Sequence, residues 1–138
     1  MASPDGNAPR IPATEALGLT IGEVMISQPK TLPATVLVRD VREVFQQPSH
    51  RTVLLADEGI FRGSIQRARL PADASDDEPA ARYVEEQPVT ATPAMPIPEA
   101  LVLLELQPEP RLIVLDEDGQ HLRGLLCFNR TAQGFCVR

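Results

Sequence analysis

Arg51-Thr52-Val53-Leu54-Leu55 and Arg111-Leu112-Ile113-Val114-Leu115 stand 60 residues apart in one chain of 138. Each leads into a continuous apolar run, Val53–Ala56 and Leu112–Leu115, of the kind found in strands buried on both faces. Working outward, the same neighbours recur in the same order. Upstream, Gln28-Pro29-Lys30-Thr31 matches Gln87-Pro88-Val89-Thr90 at an offset of 59. Downstream, Arg62-Gly63 matches Arg123-Gly124 at an offset of 61. Three blocks in one order, drifting by single residues, are an internal repeat with its insertions in loops.

Each half then resolves into elements. Thr20 with Glu23 three residues on is a capping-box pattern opening a short helix. Its counterpart is the stretch Pro79 to Glu86, with Pro at a first helical position. Extended pieces follow at Gln28–Leu32 and Gln87–Ala91. Val38, Val41, Val44 and Phe45 recur at helical spacing, as do Ile97, Ala100, Leu101 and Leu104 behind Pro98. Both helices stop near a proline, Pro48 and Pro108. After the apolar strands come acidic turns with glycine, Asp57-Glu58-Gly59 and Asp116-Glu117-Asp118-Gly119. Return strands at Phe61–Gln66 and Leu122–Phe128 complete two hairpins, each followed by a last helical turn.

The intervening composition sets the boundaries. Residues 1–18 are rich in Pro, Ala, Gly and Asn and are expected to be a flexible tail ordering near Glu15–Leu17. Repeat 1 spans 19–70, an acidic solvated linker 71–79, and repeat 2 spans 80–138. The 14 prolines fall mostly at segment borders, as punctuation of an ordered chain. Hydrophobic residues make up 43%, with no Trp, one Tyr and four Phe, so the core is aliphatic.

The same composition narrows the function. At a net charge of −6, with Lys30 the single lysine, the chain lacks the basic footprint of a nucleic-acid binder. The opening MASPDGNAPR has no charged-then-apolar export layout. No apolar run approaches the ~20 residues that span a bilayer. A cytoplasmic protein without a membrane anchor is expected. Cys127 and Cys136 have neither zinc nor redox-motif spacing and read as two thiols of a reducing compartment. His50 and His121 stand singly in turn-like contexts, so no metal site is expected. Ser64 has no His or Asp at motif spacing, and no P-loop or paired-acid constellation appears, so no catalytic residue is assigned and no enzyme is expected.

Val24-Met25, Pro29-Lys30-Thr31, Val53-Leu54-Leu55, Gly59 and Gly63 in one half, with Pro88-Val89-Thr90, Ile113-Val114-Leu115-Asp116, Gly119 and Gly124 in the other, resemble the CBS domain. The pair resembles a tandem CBS pair, or Bateman module, over about Thr20 to Thr131. The resemblance implies an α/β fold of two β-α-β-β-α repeats packed sheet to sheet around a pseudo-twofold axis. It implies an adenine nucleotide (AMP, ADP or ATP) or related ligand between the repeats. It also implies a homodimer, joined through the short helices after the return strands, and a protein partner that the module regulates. By that resemblance the ligand contacts are Thr31, Val53, Gln66 and Arg69 in repeat 1, and Thr90, Ile113, Cys127 and Arg130 in repeat 2.

The family's nucleotide signature closes each repeat with Gly, two residues, Thr or Ser, two residues, and Asp. Here Gly63 is followed by Gln66 and Arg69, and Gly124 by Cys127 and Arg130. The Asp accepts ribose hydroxyl bonds. Arg has donors only. Two readings stay open: the arginines serve a more anionic ligand, or the pockets are closed and the arginines are solvated or paired with carboxylates. Cys127 reads first as a small apolar filler, with Arg130 as the electropositive neighbour a reactive thiol requires. The function expected is a non-catalytic regulatory, ligand-sensing module, with a ligand-free dimerisation or docking scaffold as the alternative.

Overall fold

The structure, a computed structural model, describes residues 10–136. Residues 1–9 of the expected tail, and the last two residues of repeat 2, lie outside the described residues. The chain divides into two compact units. One is the continuous stretch Lys30–Pro88. The other joins the N-terminal stretch through Pro29 to the C-terminal stretch from Val89.

In the Lys30–Pro88 unit, β2 (Thr31–Leu32) runs parallel to β3 (Thr52–Asp57), and β3 runs antiparallel to β4 (Ile60–Gln66). Helix α3 (Val38–Phe45) lays Val41 and Phe45 against Val53, Leu55, Ile65 and Ala80. Asp40 opens the helix by accepting the Leu37 N–H at 2.9 Å. The β3–β4 hairpin closes on Glu58-Gly59, both at positive φ (51° and 82°). Two such residues give a turn whose twist suits a tight hairpin. A 3-10 turn, Arg67–Arg69, follows β4. The acidic stretch 71–79, expected to be a solvated linker, is tied to α3. Arg39 pairs with Asp77 and Arg42 with Asp76. Arg42 also donates to the Pro71 and Ala72 carbonyls at 3.1 Å, and Ala74 is buried.

In the other unit, β1 (Arg10–Pro12), β5 (Thr90–Ala91), β6 (Arg111–Leu115), β7 (Leu122–Asn129) and β8 (Gly134–Cys136) form a sheet ordered β1-β8-β7-β6-β5. Helices α1 (Ala13–Ala16), α2 (Ile21–Val24) and α4 (Ile97–Glu105) complete it. The core joins Ala16, Ile21, Val24, Ile97, Ala100 and Leu104 to Leu112, Val114, Leu126, Phe128 and Phe135. The capping box at Thr20 is present. Glu23 accepts the Thr20 N–H at 3.0 Å and its hydroxyl at 3.1 Å.

Three expectations are corrected. Residues 10–16 are strand and helix, because β1 finds an edge on β8. The Pro79–Glu86 stretch forms a 3-10 turn over Ala80–Tyr83, with Pro79 at its N-cap. After β7 the chain turns back into β8 instead of a helix, with Gln133 at φ 54° in the turn.

The repeat is also in a different register from the one its sequence identities suggest. Thr31 lies opposite Leu54, and Thr90 opposite Ile113. Leu55 lies opposite Gly63, and Val114 opposite Gly124. The first strands therefore correspond at an offset of 59, as do the helix starts Val38 and Ile97. The shift to 61 falls in one place, the longer turn between β6 and β7. Val53 thus corresponds to Leu112, and Leu54 to Ile113. Val53 packs with the core that holds α3. Leu112 and Val114, the neighbours of Ile113, pack with the core that holds α4. Alternation across a strand puts Ile113 on the other face.

Each sheet is closed by the segment that leads into the other repeat. Ile26 exchanges backbone bonds with Leu125 at 2.9 and 3.0 Å, and Glu85 donates to the Ser64 carbonyl at 2.9 Å. Both crossings pass over a glycine. A Cβ on Gly124 would lie 2.5 Å from the Ile26 carbonyl oxygen, and one on Gly63 would lie 2.6 Å from Val84 Cγ1. Gly63 also holds φ at 147°. Close approach, of the Ile26 backbone at Gly124 and of the Val84 side chain at Gly63, is why each strand carries glycine there.

Candidate functional site

The eight residues expected at ligand positions fall into two sets, one in each unit. In the Lys30–Pro88 unit, Thr31 is exposed on the edge strand β2, and Val53 is buried beneath α3. Gln66 ends β4 opposite Thr52. Its carbonyl accepts the Thr52 hydroxyl at 2.9 Å, and its amide donates to Glu85 Oε2 at 3.2 Å. Glu85 Oε2 also accepts the hydroxyl of fully buried Ser64 at 2.6 Å. Gln66 is therefore held on both ends of its amide. Ser64, weighed by sequence as a lone serine, is a structural donor.

Arg69 ends the 3-10 turn, exposed, with no hydrogen bond or ion pair among the described residues. Two residues earlier, Arg67 has the opposite fate. Its guanidinium donates to the Gln47 and His50 carbonyls at 2.7 Å and lies 4.9 Å from the Phe45 ring centroid. It satisfies carbonyls left over beyond the end of α3. The same unit holds a small cleft of about 20 Å³ lined by Lys30, Leu32, Val44, His50, Thr52 and Val53. Burial, then the charges of Lys30 and Arg67, push the His50 imidazole below its ordinary pKa.

In the second unit, Thr90 lies opposite Ile113 in the parallel β5–β6 pair, bringing those two residues together. Cys127 is buried in β7, with Cys136 directly across on β8 and the two sulfurs 2.7 Å apart. Arg130 is engaged by backbone carbonyls of its own unit. Its guanidinium donates to Leu104 O at 3.0 Å, Gln107 O at 2.6 Å and Pro108 O at 3.5 Å. It thereby caps the C-terminal end of α4, where the helix dipole favours a cation. Arg130 also lines a cleft of about 270 Å³ with Ala13, Leu101, Leu104, Glu105, Phe128 and Gln133.

The two units thus solve one problem with different residues. Arg67 and Arg130 are not equivalent in the repeat, yet each satisfies the carbonyls after the long helix of its unit. Sequence reasoning passed over Arg67 and the Lys30–His50 cleft. The available signal was three basic residues, Lys30, His50 and Arg67, beside the ends of β2, β3 and β4 respectively.

Against known proteins, the CBS domain family matches residues 80–128. No curated protein matches the chain. Among solved structures, the CBS-pair protein CBSX2 of Arabidopsis thaliana is 18% identical, with a TM-score of 0.69 over 80% of this chain and 89% of that one. The same protein in complex with AMP is 19% identical, with a TM-score of 0.70 over 84% and 93%. A CBS domain pair/ACT domain protein of Thermotoga maritima is 22% identical, with a TM-score of 0.66 over 78% and 88%. Mixed sheets, doubled order and crossing leader segments therefore resolve to one architecture: the chain folds as a tandem CBS-domain pair.

Proposed function

We propose that the chain is a non-catalytic regulatory module that senses an adenine nucleotide or another small anionic ligand. The observation that carries this reading is the match in fold to a CBS pair that is itself described in complex with AMP. Arg69 supports it, because an exposed guanidinium at the signature position, without a protein partner among the described residues, suits a phosphate or carboxylate. Arg130 and Gln66 narrow it, because both have their polar atoms engaged within the protein. The ligand contacts proposed are Thr31, Val53, Gln66 and Arg69 in one repeat and Thr90, Ile113, Cys127 and Arg130 in the other. Arg69 is the anion-binding member, and Arg130 is the one committed to its helix.

The experiment is a thermal-shift series with AMP, ADP and ATP. A ligand at 100 times its Kd stabilises the fold by about 2.7 kcal/mol, a shift of several degrees for a domain of this size. A shift with one nucleotide, lost in Arg69→Ala, is expected. No shift with any of the three would sink the nucleotide reading and leave the alternative of a dimerisation or docking scaffold. One observation favours that alternative in its own right. Val102 and Leu106, four residues apart on α4 and beyond its C-terminal end, are 61% and 74% exposed, and such spacing shares a helix face. We propose that this face joins two copies in a homodimer working on a protein partner in the cytoplasm. Among the described residues no helix is long and apolar enough to cross a membrane.

A further inference from the structure

Cys127 and Cys136 are the only cysteines in the chain, and the antiparallel register sets them directly opposite one another on β7 and β8. Opposed residues in such a pair have Cα atoms about 4.5 or 5.5 Å apart, and either value falls inside the 4.4–6.8 Å window of a disulfide. Their sulfurs are already in contact at 2.7 Å, against about 2.05 Å for a formed bond. The two are unequally accessible: Cys127 is 7% exposed, and Cys136 is half-buried. The hairpin they would close is the one whose turn carries Arg130 and Gln133, which line the 270 Å³ cleft.

We propose that Cys127 and Cys136 form a reversible cross-strand disulfide by exchange with a small-molecule disulfide of the glutathione class. The accessible Cys136 loses its proton and attacks one sulfur of RS–SR. A mixed disulfide forms and the first RS⁻ leaves, taking up a proton as RSH. Cys127 then loses its proton and attacks the Cys136 sulfur, expelling the second RS⁻. Two protein thiols become one disulfide, and one RSSR is reduced to two RSH. The closed bond fixes β8 to β7 and holds the turn bearing Arg130 in place.

The test equilibrates the full chain across a series of oxidised-to-reduced glutathione ratios, quenches with acid, alkylates the remaining thiols and reads the mass. The expected result is one transition, from two labels per chain to none, with a cross-linked peptide joining residues 127 and 136. Cys127→Ser should stop at one glutathione adduct on Cys136, because the resolving thiol is gone. Amide exchange over residues 129–134 should be slower in the oxidised chain. Two labels persisting at the most oxidising ratio would overturn the proposal. So would two glutathione adducts on the wild-type chain, or chain-to-chain disulfides in place of the internal one. Unchanged exchange in a chain shown to be cross-linked would overturn the claim that the bond fixes the turn. The wild-type titration needs no substitution, so the proposal stays testable if a buried serine unfolds the variant.

Discussion

At the residue scale, two arginines at equivalent places in the repeat do different work. Arg130 donates to three carbonyls at and just beyond the C-terminal end of α4, while Arg69 makes no such bond among the described residues. Arg130→Ala should therefore cost about 1 kcal/mol, the worth of a partly exposed charged cap, and lower Tm by about 4 °C. Arg69→Ala should leave Tm within a degree or so of the native chain. Calorimetry on the pair checks this, and equal losses would contradict the assignment. His50 gives the pH counterpart. Its folded pKa lies below the ordinary 6.5 because of burial and then Lys30 and Arg67. Between the two values the unfolded chain binds more protons, so stability rises with pH through that window and declines as pH falls below about 6.5. Denaturant midpoints at pH 5.5 and 7.5 should differ in that direction, and the difference should shrink in His50→Gln.

At the element scale, glycine is the hinge of the design. Gly124 lies under the Ile26 carbonyl, a backbone atom that cannot rotate away. Gly124→Ala should cost about 2–3 kcal/mol through overpacking, measurable as a denaturant midpoint shift at unchanged slope. A loss under about 0.5 kcal/mol, the range of ordinary surface substitutions, would mean the crossing segment simply lifts. Elements of this kind were legible from residue order. The capping box at Thr20, the helices starting at Val38 and Ile97 and both hairpins stand where the pattern puts them. The register was not legible. Val53-Leu54-Leu55 and Leu112-Ile113-Val114-Leu115 are apolar on both faces, so the inside–outside alternation that normally pins a strand is silent. Matching letters then favoured a slip of one residue. The β8 strand was missed because Gly134-Phe135-Cys136 is too short to show a period. Of the proposed site, Gln66, Arg69, Cys127 and Arg130 were singled out only by the resemblance, through their spacing after each glycine. Where the arginine donors point could not be read, since that depends on carbonyls more than 20 residues away in sequence.

At the scale of the whole molecule, the exposed apolar pair on and just beyond α4 is the face proposed to join two copies. Light scattering should return the mass of two chains, and Val102→Glu with Leu106→Glu should return one. A single native chain at high concentration would rule out the dimer.

The crossing leaders have a further consequence, in the order of synthesis. The stretch Lys30–Pro88 holds its whole sheet and helix in one run of sequence and can condense as soon as it leaves the ribosome. The stretch before it cannot. Strand β1 pairs with β8, Arg10 opposite Cys136, and Ile26 pairs with Leu125. Residues 10–26 must therefore wait, unpaired, until residues 125–136 have been made. A loop closed over that distance is slow to form, and a chain cut short before Leu125 would keep one folded half and a permanently unsatisfied leader.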